Sequence, residues 1–333
     1  MLKYSDISPR TTAYADRRLL TRAVPNNILG QFGDVRELPS KSSKTIIVRR
    51  YNKLAPALTP LMEGVTPSGS TRTKTDYTVS VQQFGDWVGY SDVIQDTHED
   101  PILKDNVDAL GEQAAETYDI LRAGVLKAGT NVLFTNGTQR SDVNTVISRA
   151  LLRTAIRILK RQETKPLRGI IKAGPNISTT PIPAAFIIVC HADLQPDFEN
   201  LNVTEAGCWT PVHKYANTGG LINGEIGSVG EFRVVIDNNL TPWPDAGGAA
   251  ITNGLLSTTG TSCDVYPIII LGDHCWAQVP LGGKNGVSTY VNNPKAITGD
   301  ELAQRGSVGW KGWHAALITQ DLWMLRIEAG AKG

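Results

Sequence analysis

Two short segments contain the residue types of this chain that could support catalysis or metal binding. Cys190 and His191 lie just before Asp193, and residues 273–275 read Asp-His-Cys. A cysteine beside a histidine could act as a nucleophile, and the same side chains are common zinc ligands. Adjacent residues of a strand point to opposite faces of a sheet, however, so neither Cys–His pair converges unaided. The sequence therefore favours packed or surface positions for these residues and predicts no catalytic, cofactor-binding or metal-binding residues.

Glycine-rich segments and the cysteine spacing do not indicate chemistry either. Gly224–Gly230 reads GEIGSVG, which is not GxGxxG, and it leads into a predicted strand where a phosphate-binding loop would open a helix. It is predicted to be a turn. Gly282–Lys284 lacks the spacing of a Walker A loop. The four cysteines include no CxxC pair, and we expect them to be reduced and packed as small hydrophobic residues.

Composition indicates a folded protein without a strong preference for polyanions. The chain has 333 residues, 41% hydrophobic and 20% charged, with a formal net charge of +1. This length exceeds the roughly 250–300 residues at which single cores stop growing, so we expect two compact parts. No apolar run approaches the roughly 20 residues that span a bilayer, and no signal peptide is evident. We expect the protein to fold in a cytosol and not to bind membranes.

Asp100–Gly129 is predicted to be one long helix. Asp100 suits the N-cap and Pro101 the first helical position, and Gly129 can end the helix. Such a helix measures roughly 40 Å. Gly111 and Gly124 lie inside it, and either a close neighbour or simple tolerance would explain them equally well. Its apolar residues recur at three- and four-residue steps: Ile102, Leu103, Val107, Leu110, Ala114, Tyr118, Leu121, Val125 and Leu126.

A long projecting hairpin is predicted before this helix. Lys44–Asn52 and Asp76–Tyr90 have strand patterns, and a shift of the apolar phase in the second predicts a bulge or bend near Gly85. Between them, Ala55–Thr75 is a proline- and glycine-containing loop, and loops of this length are usually functional or disordered. The opposite charges near its two ends are available for contacts outside its own domain. The candidate contact residues are Leu58, Leu61, Glu63, Arg72 and Lys74.

Residues 1–42 are predicted to form an N-terminal arm that is interrupted by three prolines. A polar, extended arm buries little of itself, so it either stays disordered or becomes ordered on a neighbouring surface. The apolar residues near its end favour the second interpretation. The candidate contact residues of the arm are Arg17, Arg18, Arg22, Ile28 and Phe32.

The second half of the chain alternates helices and strands. A helix is predicted near Asp142–Gln162, followed by a crossover at Lys165–Pro183 and a short helix at Asp193–Leu201. Val308–Glu328 is predicted to be a pair of strands that returns the chain to the first of the two compact parts. The first helix carries an apolar stripe (Ile147, Leu151, Ala155, Ile158) and a basic stripe (Arg149, Arg153, Arg157). The basic stripe could contact phosphate or an acidic partner surface, but the near-neutral net charge favours a solvated face. The other predicted strands are Ala184–Cys190, Glu231–Asp237, Val265–Leu271, Trp276–Pro280 and Val287–Asn292.

In this order, the segments resemble the major capsid proteins of tailed bacteriophages, with an α+β, HK97-like fold. The closer resemblance is to the family typified by the short-tailed coliphage N4. The resemblance is distributed over the chain, and no single motif in it is diagnostic. It is carried by residues 24–39, 49–67, 91–132, 224–234, 264–285 and 304–328.

This resemblance implies a division of the chain into five parts. They are the N-terminal arm (1–42), the extended loop with its strands (43–98), the peripheral domain with the spine helix (99–183), the axial domain (184–300) and the return strands of the peripheral domain (301–333). The extended loop would lie over an adjacent subunit and the arm under another.

The resemblance also implies a function and a set of partners. The protein would self-assemble through pentamers and hexamers into the icosahedral head of a tailed, double-stranded DNA phage. It would belong to the virion and be assembled in the cytoplasm of a bacterial host. Its partners would be copies of itself, a portal protein, packaged DNA bound without sequence specificity and, as further candidates, scaffolding or decoration proteins.

Two alternatives remain at this point. The first is a cellular nanocompartment shell of the same fold, similar to an encapsulin, which would enclose an enzyme. The second is a soluble hydrolase or metal-dependent enzyme that would use the His191–Asp193 and His274–Cys275 regions.

Overall fold

A mixed α+β architecture with extensive sheets is seen in the computed structural model of the protein. The structure describes residues 27–41, 43–97, 102–169, 183–204, 207–215, 221–250, 254–281, 287–296 and 299–333. Its α-helices are α1 (Asp92–Thr97), α2 (Ile102–Leu126), α3 (Arg149–Arg161) and α4 (Gln195–Thr204). Its strands are β1 (Asp34–Val35), β2 (Thr45–Tyr51), β3 (Lys74–Ser80), β4 (Gln82–Ser91), β5 (Val132–Phe134), β6 (Phe186–Cys190), β7 (Trp209–Pro211), β8 (Glu225–Val229), β9 (Phe232–Ile236), β10 (Val265–Leu271), β11 (Trp276–Gln278), β12 (Val287–Asn292), β13 (Arg305–His314), β14 (Ala316–Ile318) and β15 (Met324–Gly330).

A seven-stranded sheet in the order β5-β15-β10-β6-β9-β8-β7 forms the centre of the molecule. Strands β6 and β10 are apolar at nearly every position because both faces of the sheet are covered. On one face, Phe186 and Ile188 pack in a cluster with residues of α3 and α4. On the other, Ile187 and Val189 pack in a cluster with residues 28–32 and the end of α2. Each fully buried aliphatic side chain of this kind contributes about 1.5–3 kcal/mol.

Helix α2 lies across a second sheet, in the order β12-β13-β4. Its 25 residues correspond to roughly 38 Å, so the predicted long helix is confirmed, although Asp100 and Pro101 lie outside the described residues. Leu110, Ala114 and Tyr118 form a buried cluster with Trp310 and other residues of the sheet. No atom lies within 4 Å of where a Cβ would stand at either helical glycine in the described part of the chain, which favours the tolerance interpretation for Gly111 and Gly124.

Strands β2 and β3 form the predicted hairpin, and β1, β11 and β14 form a small third sheet. Of the predicted bulge or bend near Gly85, the bulge is wrong, because β4 pairs with β13 without a shift of register at that position. The chain instead leaves one sheet and enters another at Val81, which is buried and donates its amide to the Lys44 carbonyl. The apolar phase shifts because the covering elements change. Gly85 serves close packing, since a Cβ there would stand 2.6 Å from the Trp310 carbonyl oxygen.

Helix α3 begins at Arg149, seven residues later than predicted. Ser148 caps it by accepting a hydrogen bond from the Leu151 amide. The preceding segment does not join the helix, because the Val143 carbonyl accepts a hydrogen bond from the Gly248 amide at 2.8 Å. The buried face of α3 therefore differs from the predicted apolar stripe. Its buried residues are Leu152, Ala155 and Leu159.

Two further predictions are wrong in detail. Within Gly224–Gly230 lies strand β8, and the glycines at both ends have positive φ angles, so the segment is a strand between two turns. The two halves of Val308–Glu328 do not pair with each other: β13 pairs with β4 and β12, whereas β15 pairs with β10 and β5.

The other predicted strands form, with boundaries that are exact or shifted by a few residues. The predicted crossover falls largely on residues 170–182, outside the described part.

Candidate assembly surfaces

The loop between β2 and β3 presents apolar side chains that its own chain does not cover. All of its residues from 53 to 73 are exposed. Leu58 is 86% exposed, Leu61 77%, Met62 75% and Val65 61%. Side chains of this kind are normally buried, so a concentration of them on one projecting loop marks an interaction surface. The predicted contact residues Glu63 and Arg72 lie in the same loop, whereas Lys74 begins strand β3.

The base of this hairpin is tied to the rest of the subunit. The Arg50 guanidinium donates to the Thr319 carbonyl at 3.2 Å, and Lys53 Nζ lies 2.6 Å from the Glu163 carboxylate. Between the strands, Arg49 forms an ion pair with Asp76 at 2.8 Å and holds the pKa of Asp76 below its ordinary value. These contacts fix the base of the hairpin on the subunit from which the loop projects.

A second apolar surface lies on the face of the β12-β13-β4 sheet that is turned away from α2. Trp87 is 69% exposed, and Tyr290, which lies in register with it across Gly309, is exposed on the same face. A groove of about 1080 Å³ is lined by Trp87, Asn292 and Arg305 among others. Gly309 makes room for the tryptophan, since a Cβ there would stand 2.9 Å from the Trp87 Cβ.

This second surface was not predicted from the sequence. The pattern of β4 follows Phe84, Val88 and Tyr90, which face the helix, and Trp87 is out of phase with them. An aromatic residue in the solvent-facing phase of a strand is the clue that could have identified it. Tyr290 gave a weaker indication because β12 is a short edge strand.

The predicted contacts of the arm need a correction. Ile28 and Phe32 are buried in their own chain, in the cluster that contains Ala123 and Trp276. The Leu29 amide between them donates to Asp119 of α2 at 3.1 Å. These apolar residues therefore have their partner within the subunit, and the prediction that they contact a neighbour is not supported. Arg17, Arg18 and Arg22 lie outside the described residues.

Helix α3 presents a basic face on the side opposite its buried stripe. Arg153 and Arg157 are exposed on it, and Arg149 is partly buried. Lys160 forms an ion pair with Glu231.

The candidate catalytic residues do not converge. The His191 ring nitrogen Nδ1 accepts from the Asp193 amide at 3.2 Å, while Cys190 is fully buried next to the Val235 carbonyl. The His274 ring is mostly exposed and bonds to Asp34 at 2.7 Å. No group of three or more His, Cys, Asp or Glu side chains in the described ranges is placed to hold a metal ion.

The cysteines are all free and buried, as the sequence predicts. Burial raises the pKa of Cys190 and Cys263, and raises that of Cys275 to about 12. Thiols in this state are poor nucleophiles. Across the part of the chain that the structure describes, no helix has the length and hydrophobicity needed to cross a membrane.

Comparison with protein families gives a match over most of the chain. Residues 75–327 match the family model described as phage capsid protein. The chain is also 24% identical over 229 residues to the major capsid protein of Pseudomonas phage KPP21, a match that covers 65% of this chain. The chain spans only 57% of the length of that relative.

Solved structures show the same fold. The capsid of Ralstonia phage GP4 matches with a TM-score of 0.71 and 13% identity over 100% of this chain and 98% of that one. The holo-SrpI encapsulin complex from Synechococcus elongatus PCC 7942 matches with a TM-score of 0.57 and 9% identity over 92% of this chain and 88% of that one. The α+β, HK97-like fold expected from the sequence is thereby confirmed.

Proposed function

Because this chain belongs to the phage capsid protein family, we propose that it is a major capsid protein whose copies assemble into the closed icosahedral head of a tailed phage. The family is a structural one, which argues against the hydrolase or metal enzyme alternative. We assign the finer type to short-tailed phages similar to coliphage N4, on the sequence segments that carry that resemblance. The protein is a component of the virion, and the host cytoplasm is its proposed site of assembly.

One observation carries this proposal: the subunit presents both a projecting apolar loop and a separate apolar face. Leu58, Leu61 and Met62 lie on the first, and Trp87 and Tyr290 on the second. Two different, exposed apolar surfaces on one chain suit a heterologous contact, in which the loop of one copy covers the face of the next. Repeated around an axis, such contacts close into rings.

The geometry also suits a shell made of many weak contacts. A subunit that touches several neighbours is held multivalently, so no single contact must be strong. The net charge of +1 limits repulsion when hundreds of copies meet. Pentamers and hexamers of the chain, a portal protein, scaffolding or decoration proteins, and packaged DNA bound without sequence specificity are its proposed partners.

A nanocompartment shell is the second candidate, because an encapsulin is among the structural neighbours. The two functions differ in what the shell encloses. Purified particles that contain long double-stranded DNA support the phage head, and particles that contain a cargo protein support the nanocompartment.

The experiment that tests assembly is electron microscopy and size-exclusion chromatography of the full chain, expressed alone and with the neighbouring genes. We expect closed shells or regular rings in at least one condition. The triple variant Leu58→Ser, Leu61→Ser, Met62→Ser is expected to give a folded subunit that does not form them. A matched control changes three polar residues of the same loop, Thr59, Ser68 and Thr71, to Ala and is expected to assemble normally. Normal assembly of the apolar triple variant would contradict the role of the loop.

A further inference from the structure

Two carboxylic acids are buried next to each other where the long helix α2 meets the central sheet. Asp119 lies in the second half of α2 and is fully buried, and Asp237 follows the last residue of β9 and is 2% exposed. The Asp237 amide donates to the Cys190 carbonyl at 2.8 Å, which fixes this residue to the central sheet. Neither carboxyl group has a role in the assembly surfaces described above.

Three parts of the chain meet at these two side chains. Asp119 Oδ1 accepts a hydrogen bond from the Leu29 amide at 3.1 Å, and Oδ2 accepts from Asn239 Nδ2 at 3.3 Å. Asp237 Oδ1 accepts from the Asn239 amide at 2.9 Å. The other oxygen of Asp237 is buried and has no hydrogen-bond donor among the described residues. A buried carboxylate oxygen without a donor is costly unless it carries a proton itself.

The surrounding charges do not compensate two carboxylates. Arg122 is the cation on the same helix, with Nη1 3.9 Å from Asp119 Oδ1, and it also donates to Asn27. His314 of β13 packs against Tyr118 of the same helix, and burial, together with the charge of Arg122, lowers its pKa to about 4, so it is neutral at physiological pH. Burial raises the pKa of the Cys190 thiol, which is neutral as well. One cation therefore faces two acids.

We propose that Asp119 and Asp237 form a proton-dependent joint, in which one shared proton holds α2, the segment at residues 27–32 and the end of β9 together. With the proton present, Asp237 can donate to Asp119, and its buried second oxygen gains a partner. Without it, two buried negative charges repel each other where these three elements meet. The joint belongs to the subunit itself and does not depend on the proposed assembly.

The expected direction of the pH effect follows from the raised pKa. Burial, and then the Asp119 charge, raises the pKa of Asp237 from its ordinary 3.8 to about 7. Between pH 3.8 and about 7, Asp237 therefore keeps its proton in the folded protein, whereas it has lost the proton in the unfolded chain. The stabilisation is complete below the ordinary pKa and is lost as the pH rises towards 7, by up to tenfold in the folding equilibrium constant per pH unit.

The test is hydrogen exchange at the Leu29 amide of the full chain, corrected for the intrinsic dependence of exchange on pH. In the wild type, protection of this amide is expected to fall between pH 5.5 and pH 8. In Asp237→Asn, which mimics the protonated acid and retains the contribution of His314, this fall is expected to be absent. Asp86→Asn removes one exposed carboxylate whose pKa is already lowered, so this control should retain the wild-type dependence. Equal pH dependence in wild type and Asp237→Asn would overturn the proposal.

A second measurement covers the case in which Asp237→Asn does not fold. The carboxyl carbon of Asp237 can be followed by NMR in the wild type labelled with ¹³C-aspartate. An apparent pKa of the pair near 7 supports the joint, and one near 4 overturns it. Asp119→Asn removes the neighbouring negative charge, so the titration midpoint of Asp237 should move to lower pH in that variant, and an unchanged midpoint would contradict the pairing.

Discussion

Arg140 and Glu328 form a two-bond ion pair inside the subunit, with Arg140 Nε 2.7 Å and Nη2 2.8 Å from the two carboxylate oxygens. Glu328 is fully buried and also accepts from Arg326 Nε at 3.0 Å. Arg326 in turn donates to the Gly129 carbonyl just beyond α2 at 2.9 Å. The Trp243 ring packs 3.6 Å from the Arg140 guanidinium carbon. This cluster joins the long helix to the central sheet.

Glu328→Gln should therefore destabilise the subunit strongly. The substitution leaves two arginines near each other without their anion, and removing one partner of a buried ion pair typically costs about 3–5 kcal/mol. The free energy of unfolding from chemical denaturation measures this loss. Glu163→Gln removes the exposed partner of Lys53 and is the control, with an expected change of about 0–1 kcal/mol. Similar losses in both variants would contradict the importance of the buried cluster.

Two glycines should respond in opposite directions to substitution by alanine. At Gly85 a Cβ would stand 2.6 Å from the Trp310 carbonyl oxygen, so Gly85→Ala should lower the free energy of unfolding by about 1–3 kcal/mol. At Gly111 a Cβ meets no described atom within 4 Å, and alanine favours a helix over glycine. Gly111→Ala should raise the free energy of unfolding by about 1 kcal/mol. Thermal unfolding of the isolated subunit distinguishes the two, and a loss of stability in Gly111→Ala would reveal a close neighbour at the helix.

The four cysteines should be inert in the native protein. All are buried, and the raised pKa values of Cys190, Cys263 and Cys275 keep these thiols protonated at pH 8. A thiol reagent such as DTNB should label none of them within the time in which it labels all four in denaturant. Rapid labelling of the native subunit would indicate that one of the surrounding clusters opens easily.

His314 should make the subunit sensitive to acid. Its pKa is lowered from 6.5 to about 4, so below pH 6.5 the unfolded chain binds a proton that the folded protein excludes. The stabilisation is present above pH 6.5 and is lost as the pH falls towards 4, by up to tenfold in the folding constant per unit. The ratio of the unfolding constants of wild type and His314→Gln isolates this effect from the opposite contribution of Asp237. A ratio that does not vary between pH 4 and 6.5 would show that His314 is protonated in the folded state.

The parts of the fold that the sequence predicts are those in which local pattern and tertiary environment agree. Helix α2 keeps one apolar face over 25 residues, and Val265–Leu271 is apolar throughout because two layers cover it. The predictions that failed involve contacts distant in sequence. Val143 and Ile147 have a helical spacing, yet the Gly248 amide fixes the first of them in an extended segment. No local pattern contains that information.

The candidate surfaces show the same limit. The exposed residues of the hairpin loop could be predicted, because a long loop without an apolar period has little to bury. The assignment of Ile28 and Phe32 to a neighbouring subunit was wrong since the sequence does not show that α2 and Trp276 of the same chain offer them a site. The paired acids at Asp119 and Asp237, 118 positions apart in the printed sequence, could not be foreseen for the same reason.

The position of β15 has a consequence for synthesis on the ribosome. This strand, at residues 324–330, lies between β5 and β10 and hydrogen-bonds to both, so β5 joins the rest of the sheet through it. The sheet therefore cannot be completed until residue 330 has emerged from the exit tunnel. A nascent chain that ends before residue 324 lacks this strand and cannot form the native sheet.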